Sequence, residues 1–271
     1  MRERSLFAVT SLIVLTACAG ARLPSKAGEY QVSVQRVHTT RGDIHATYVR
    51  PVQPRHPDYL VLFATGDEGW LGTSGALFRH LAEEGYEIAG FSSREALQRV
   101  DSEERVITAR AAQEMKELFA QVKRDLSLAE STPILMIGFS RGASAVAFTA
   151  VHPEIRGSLE GAVAIALTRE ADYLHAPAAE RAPEIQVDDQ GRIQLYPALK
   201  LLGTTRLAVI QSTHDSYVPA SESRQLLGAD TPTLRLYEVQ AKDHGFSDAR
   251  DRLMQDLDDA LRWIEEPGPA S

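Results

Sequence analysis

Apolar and polar positions follow two rhythms along the chain. Tyr59–Ala64, Tyr86–Phe91, Pro133–Phe139, Leu159–Leu167, Leu207–Gln211 and Leu234–Val239 are short, nearly continuous apolar runs. Runs of this kind predict strands covered on both faces, as in a parallel sheet buried by helices. Between them the spacing changes to three and four. Ile107, Ala111, Met115, Leu118, Phe119, Val122 and Leu126 form one stripe and predict a helix over Glu103–Leu128. Further helices are expected over Ser74–Glu84 (closed by Gly85), over Ala143–His152, and over Ser247–Glu265 with Leu253, Leu257, Leu261 and Ile264 on one face. Gln31–Val37 and Ile44–Arg50 read as a hairpin around Thr40-Arg41-Gly42-Asp43.

Strands alternating with helices predict an α/β domain, here over 30–266, with a mostly parallel sheet, helices on both faces and the hairpin as an antiparallel edge. Residues 168–203 break the rhythm, being polar, proline-containing and aperiodic. A gap of that length inside a domain predicts a small lid. Within it, Asp189-Gln190-Gly191 has the composition of a hairpin turn between Val187 and Ile193. Residues 267–271 are expected as a tail.

Composition narrows the function classes. Hydrophobic residues at 44% and charged residues at 24% fit a globular chain and not a disordered one. A net charge of −8 lacks the basic footprint of a nucleic-acid binder. The single cysteine, Cys18, excludes an intrachain disulfide and a Cys-rich zinc site. There is no His-Glu-x-x-His and no dinucleotide Gly-x-Gly-x-x-Gly, so neither a metal nor an organic cofactor is expected.

The first residues read as an address. Arg2 and Arg4 precede a mostly apolar stretch, Leu6–Leu15, too short to span a bilayer and followed by small residues. Leu15-Thr16-Ala17-Cys18 resembles a bacterial lipobox. That resemblance implies cleavage of residues 1–17, lipid on Cys18 and a tether over 18–29. Ala19, where an Asp would signal inner-membrane retention, implies a periplasm-facing lipoprotein of the outer membrane. Lipid attachment contributes about 0.8 kcal/mol per buried CH₂, and two or more chains anchor stably.

Candidate chemistry centres on Gly138-Phe139-Ser140-Arg141-Gly142, a Gly-x-Ser-x-Gly between a predicted buried strand and a predicted helix. This is the setting of a nucleophile elbow, in which a strained turn holds the serine clear of the sheet. A serine hydroxyl needs a base, and the base an orienting acid, in the chain order Ser, Asp/Glu, His of α/β-hydrolases. Downstream of Ser140 lie His152, His175, His214 and His244. Only His244 follows the last strand and precedes the last helix, where the base belongs. Asp215, in the loop after Leu207–Gln211, is the expected acid; Asp243 is disfavoured because adjacent side chains diverge. The expected oxyanion hole combines the backbone N–H of Arg141 with that of Asp67, in Thr65-Gly66-Asp67-Glu68-Gly69-Trp70. Glu68 and the Arg141 side chain are candidate substrate contacts, the latter for an anionic head group or as a salt-bridged arginine. Trp70 reads equally as a pocket wall or a core anchor.

Three segments together resemble the VirJ/AcvB type of bacterial virulence protein, an α/β-hydrolase family, over roughly Tyr59 to Ile264. Gly66-Asp67-Glu68-Gly69-Trp70 is similar to the family's G-D-G-G-W, Gly138–Ala143 to its G-Y-S-F-G-A, and Asp243-His244-Gly245-Phe246 to its H-H-F region. Glu68 replaces a glycine, Arg141 an aromatic residue and Ser144 an Asp. The resemblance implies an α/β-hydrolase fold, export, and hydrolysis of aminoacylated phospholipid. The sequence thus leads to an envelope-anchored serine hydrolase acting on ester or aminoacyl-lipid substrates. The alternative is a hydrolase-like lipoprotein that binds or scaffolds without catalysis.

Overall fold

A computed structural model describes residues 30–56, 58–98, 106–175 and 185–266. The expected signal (1–17), lipidation site Cys18, tether (18–29) and tail (267–271) lie outside the described residues.

The opening hairpin forms as read: β1 (Tyr30–Thr39) and β2 (Gly42–Pro51) pair antiparallel about Thr40-Arg41. The apolar runs become β3 (Leu60–Ala64), β4 (Ile88–Phe91), β6 (Ile134–Phe139), β7 (Leu159–Ile165), β10 (Arg206–Ser212) and β11 (Leu234–Val239). They join the hairpin in an eight-stranded sheet of order β1-β2-β4-β3-β6-β7-β10-β11, parallel from β4 to β11. All five residues of β3 are buried, as a central strand covered on both faces requires.

The periodic segments become α1 (Gly72–Glu83), α3 (Thr108–Asp125), α4 (Arg141–Val151) and α7 (Arg250–Glu265). Two cores result. Leu118, Phe119 and Val122 of α3 pack with Val146 and Phe148 of α4 on one side of the sheet. Leu77 and Phe78 of α1 pack with Leu253, Leu257 and Leu261 of α7 on the other. This is the α/β architecture, a mostly parallel sheet with helices on both faces, that the alternation predicts.

The differences have local causes. The long helix begins at Thr108, not Glu103, because Val106–Ile107 is extended as β5 and pairs parallel with β8 (Glu170–His175). Its last predicted turn is lost at Ser127, which has φ +58°. The closing helix begins at Arg250, because Asp243 takes the Ser247 N–H into a tight turn that also seats buried Phe246 at φ +51°. Two helices had no stripe to reveal them: α2 (Ser93–Gln98) and α6 (Ala220–Leu227).

Residues 168–203 contain β8, β9 (Arg192–Gln194) and α5 (Leu195–Ala198). With β5 they build a three-stranded sheet of order β5-β8-β9. Val187 bridges Ile193 across the expected turn. The apolar residues Ala171, Leu174, Leu195, Tyr196 and Leu199 are buried in the α3/α4 core, whereas Arg169, Glu170, Asp172 and Arg192 line a cleft above the main sheet.

Candidate active site

The site collects at the carboxyl ends of β3, β6, β10 and β11, where strands give way to loops. Ser140 occupies the single residue between β6 and α4, with φ +55° and ψ −116°. A non-glycine residue in such a region costs about 1–3 kcal/mol, and the surroundings hold it there. Its N–H donates to Ile165 O at 2.8 Å, and its carbonyl accepts from Ser144 N–H at 3.2 Å. The flanking glycines are required by closeness. A Cβ on Gly138 would sit 2.3 Å from Gly142 O, and one on Gly142 would sit 2.2 Å from Ala64 O.

His244, in the β11–α7 loop, places Nε2 2.8 Å from Ser140 Oγ and Nδ1 2.7 Å from Asp215 Oδ2. Asp215 is 3% exposed. Its Oδ1 accepts the N–H groups of Tyr217 (2.8 Å) and Val218 (3.4 Å), and its Oδ2 accepts Gln211 Nε2 at 3.0 Å. A carboxylate so supplied with donors is an acceptor for the His244 Nδ1–H. That tautomer turns the Nε2 lone pair toward the serine hydroxyl. Phe139 and Tyr217 flank the imidazole at ring-centroid distances of 5.6 and 4.8 Å. Serine, histidine and acid predicted from separate motifs are therefore joined in one hydrogen-bonded line.

The other candidates are placed elsewhere. His152 lies at the end of α4 with its ring 5.4 Å from Phe148. His214 turns Nδ1 to Ala241 O at 2.9 Å. His175 is in β8, and its side chain lies outside the described residues. Asp243 is committed to Ser247. Hydrogen bonds from the Ser247 hydroxyl and N–H hold its carboxyl below the usual carboxylate range.

The β3–α1 loop runs beside the nucleophile. A Cβ on Gly66 would meet the Phe139 ring at 3.0 Å and Ser140 Cβ at 3.3 Å, so this backbone abuts the elbow and leads into Asp67. Asp67 and Arg141 both line the cleft of about 330 Å³ that exposes Ser140. The Arg141 guanidinium is shared between Asp67 Oδ1 (2.9 Å) and Asp172 Oδ2 (3.0 Å), the salt-bridged alternative of its two readings. Trp70 does not line that cleft. It packs on Phe63 and against the edge of Phe78, its centroid 4.9 Å away, and is a core anchor because Gly90 leaves room for its ring. Glu68 is exposed and lies against Gly72, away from the cleft lining.

Gln211, Tyr217, Asp172 and Arg192 were not anticipated. A fully buried amide at the end of an apolar strand is a signal that sequence can carry, and Gln211 is one. Asp172 and Arg192 lie in the aperiodic segment, which offers no such signal. Among the described residues, no group of three or more His, Cys, Asp or Glu side chains is placed to hold a metal ion.

The fold is that of the α/β-hydrolases, and solved structures agree on it. A Klebsiella pneumoniae protein named as a dienelactone hydrolase superposes with a TM-score of 0.62 at 18% identity, covering 88% of this chain and 99% of its own. The esterase domain of a Rhodothermus marinus protein gives 0.55 at 22%, covering 86% and 100%. A Xanthomonas campestris protein, described as an α/β serine hydrolase without a lid, gives 0.54 at 13%, covering 88% and 97%. No family model matches the chain. No curated protein matches it either.

Proposed function

We propose that the protein is a serine hydrolase of carboxylic esters, working through an acyl-enzyme. The observation that carries this reading is the unbroken line Ser140 Oγ–His244 Nε2/Nδ1–Asp215 Oδ2, at 2.8 and 2.7 Å, opening on a cleft. A binding module has no use for a strained serine aligned with a base and its acid. The names of the structural neighbours, among them esterases, point the same way.

In the proposed reaction Ser140 Oγ attacks the ester carbonyl and passes its proton to His244 Nε2. The C–O bond to the alcohol breaks, and His244 returns the proton to that leaving oxygen. Water repeats the sequence on the acyl-enzyme, releasing the acid and restoring the serine. Asp215 fixes the tautomer and stabilises the imidazolium. The N–H groups of Arg141 and Asp67 are the proposed oxyanion donors, and a donor of this kind lowers the barrier by about 2.7–4 kcal/mol. The helix N-terminus at Arg141 adds a favourable field.

We further propose that the mature chain is held to the periplasmic face of the envelope through lipid on Cys18, where aminoacyl-lipid and related esters lie within reach. The lipobox-like Leu15–Cys18 and the VirJ/AcvB-like segments support this part.

A fluorophosphonate probe tests the chemistry. Wild type is expected to be labelled stoichiometrically, and Ser140→Ala not at all. A folded wild type that takes no label would sink the enzyme reading, and labelling that survives Ser140→Ala would remove Ser140 as nucleophile.

A further inference from the structure

A second cavity shares a wall with the catalytic cleft. It lies between α2, α3, α4 and β8, with a volume of about 70 Å³, and Ile44, Phe91, Ala111, Met115 and Phe148 supply much of its apolar lining. Arg141 lines both cavities. So do adjacent residue pairs: Ser144 and Asp172 face the cleft, while Ala145 and Tyr173 face the second cavity. The partition is thus one layer of side chains thick, and its centre is the residue next to the nucleophile.

The polar groups of this cavity are unusual. The hydroxyls of Tyr173 and Ser93 and Nη2 of Arg41 are buried with no hydrogen-bond partner among the described residues. Arg41 is otherwise neutralised by Glu114, 2.6 Å from its Nη1. Burial pushes the Tyr173 hydroxyl well above its ordinary range, so it keeps its proton and donates. Buried donors without acceptors are rare in folded proteins. Three around one apolar cavity point to an acceptor that arrives with a ligand. The ion pair leaves no uncompensated positive charge, which favours a neutral acceptor over a carboxylate.

We propose, building on the hydrolase reading, that this cavity is the acyl subsite of the Ser140 centre. It takes a short acyl chain that ends in a carbonyl or hydroxyl oxygen. A cavity of ~150 Å³ holds benzene, so about half that volume holds roughly three carbons. Arg141, held by Asp67 and Asp172, is the wall past which the chain reaches, and the alcohol half of the ester lies in the polar cleft with Arg169 and Arg192.

The test is a series of p-nitrophenyl esters. For wild type, kcat/KM for butyrate is expected to exceed that for octanoate by about tenfold or more. Ala111→Leu, which fills the cavity, is expected to lower the butyrate-to-acetate ratio about tenfold. Tyr173→Phe, which removes one orphan donor, is expected to lower the 3-hydroxypropionate-to-butyrate ratio about tenfold. Working with ratios makes a partly unfolded variant harmless, since unfolded enzyme cancels. A wild type that takes the fluorophosphonate label and hydrolyses acetate, yet whose ratios neither variant moves, overturns the subsite and leaves the hydrolase standing. Ala111→Leu that raises Tm without moving the ratio marks the cavity as a hydrated void and overturns it too. A wild type that takes neither label nor ester overturns both readings.

Discussion

At the scale of single residues, the site is a question of where hydrogen atoms sit. Asp215 Oδ2 receives both Gln211 Nε2 and His244 Nδ1, while Oδ1 receives two backbone N–H groups. Asp215→Asn keeps the shape but has only one acceptor oxygen. If that oxygen stays with Tyr217 and Val218, the new NH₂ faces the Gln211 NH₂ and the imidazole. His244 must then offer its Nδ1 lone pair, which puts the proton on Nε2, toward Ser140, where it cannot act as base. The expected result is a fall in kcat on the order of 10⁴ for p-nitrophenyl acetate. Unchanged turnover would remove Asp215 from the mechanism. Much of this was legible in the sequence, because each residue sits where a strand ends in a loop. What was not legible is the support. Gln211 also holds Val218 O and Leu167 N–H, an arrangement that exists only once β7, β10 and the following loop are brought together. Trp70 reads two ways from its loop position, and the space above Gly90, on a different strand, decides for the core.

At the scale of elements, the elbow is a close crossing of three backbones. Gly142 of α4 lies against Ala64 O and Thr65 O at the end of β3, and Gly138 of β6 against Gly142 O. Gly142→Ala would force a Cβ to within 2.2 Å of a carbonyl oxygen, and no flexible side chain is there to yield. The expected cost is about 3 kcal/mol, the upper end for overpacking, or a Tm drop of roughly 6–12 °C for a domain of this size. Thermal unfolding followed by circular dichroism checks it, and a shift under about 2 °C would mean that the strand and helix separate freely. Elements with a strong period, such as α3 and α7, were readable because an amphipathic stripe is a local pattern. Where tertiary pairing decides, the pattern misleads. Ile107 opens the apolar stripe of α3, yet Val106–Ile107 is extended and joins β8, both residues being of the β-branched type that favours strands. The six residues of α2 and eight of α6 are too short to show a period at all.

At the scale of the whole molecule, charge and anchor make separable predictions. The net charge of −8 disfavours an anionic bilayer surface, so electrostatics would not hold the protein there. Among the described residues, no helix is long and apolar enough to cross a membrane. Membrane attachment, if it comes from the lipobox-like segment, must then be hydrophobic and covalent. At about 0.8 kcal/mol per buried CH₂, two or more acyl chains outweigh any repulsion of this size. Two treatments distinguish the causes. Wild type is expected to stay in the membrane fraction in 1 M salt, where the Debye length is about 3 Å, and to leave it in detergent. Cys18→Ser is expected in the soluble fraction with its fluorophosphonate labelling intact, because Asp67, Ser140, Asp215 and His244 all lie within 30–266, well past the altered residue. Wild type released by salt would assign the attachment to charge, and Cys18→Ser remaining with the membrane would remove the lipid from the account. In either case the ester chemistry would stand, because it rests on hydrogen bonds within 30–266 and not on where the chain is held.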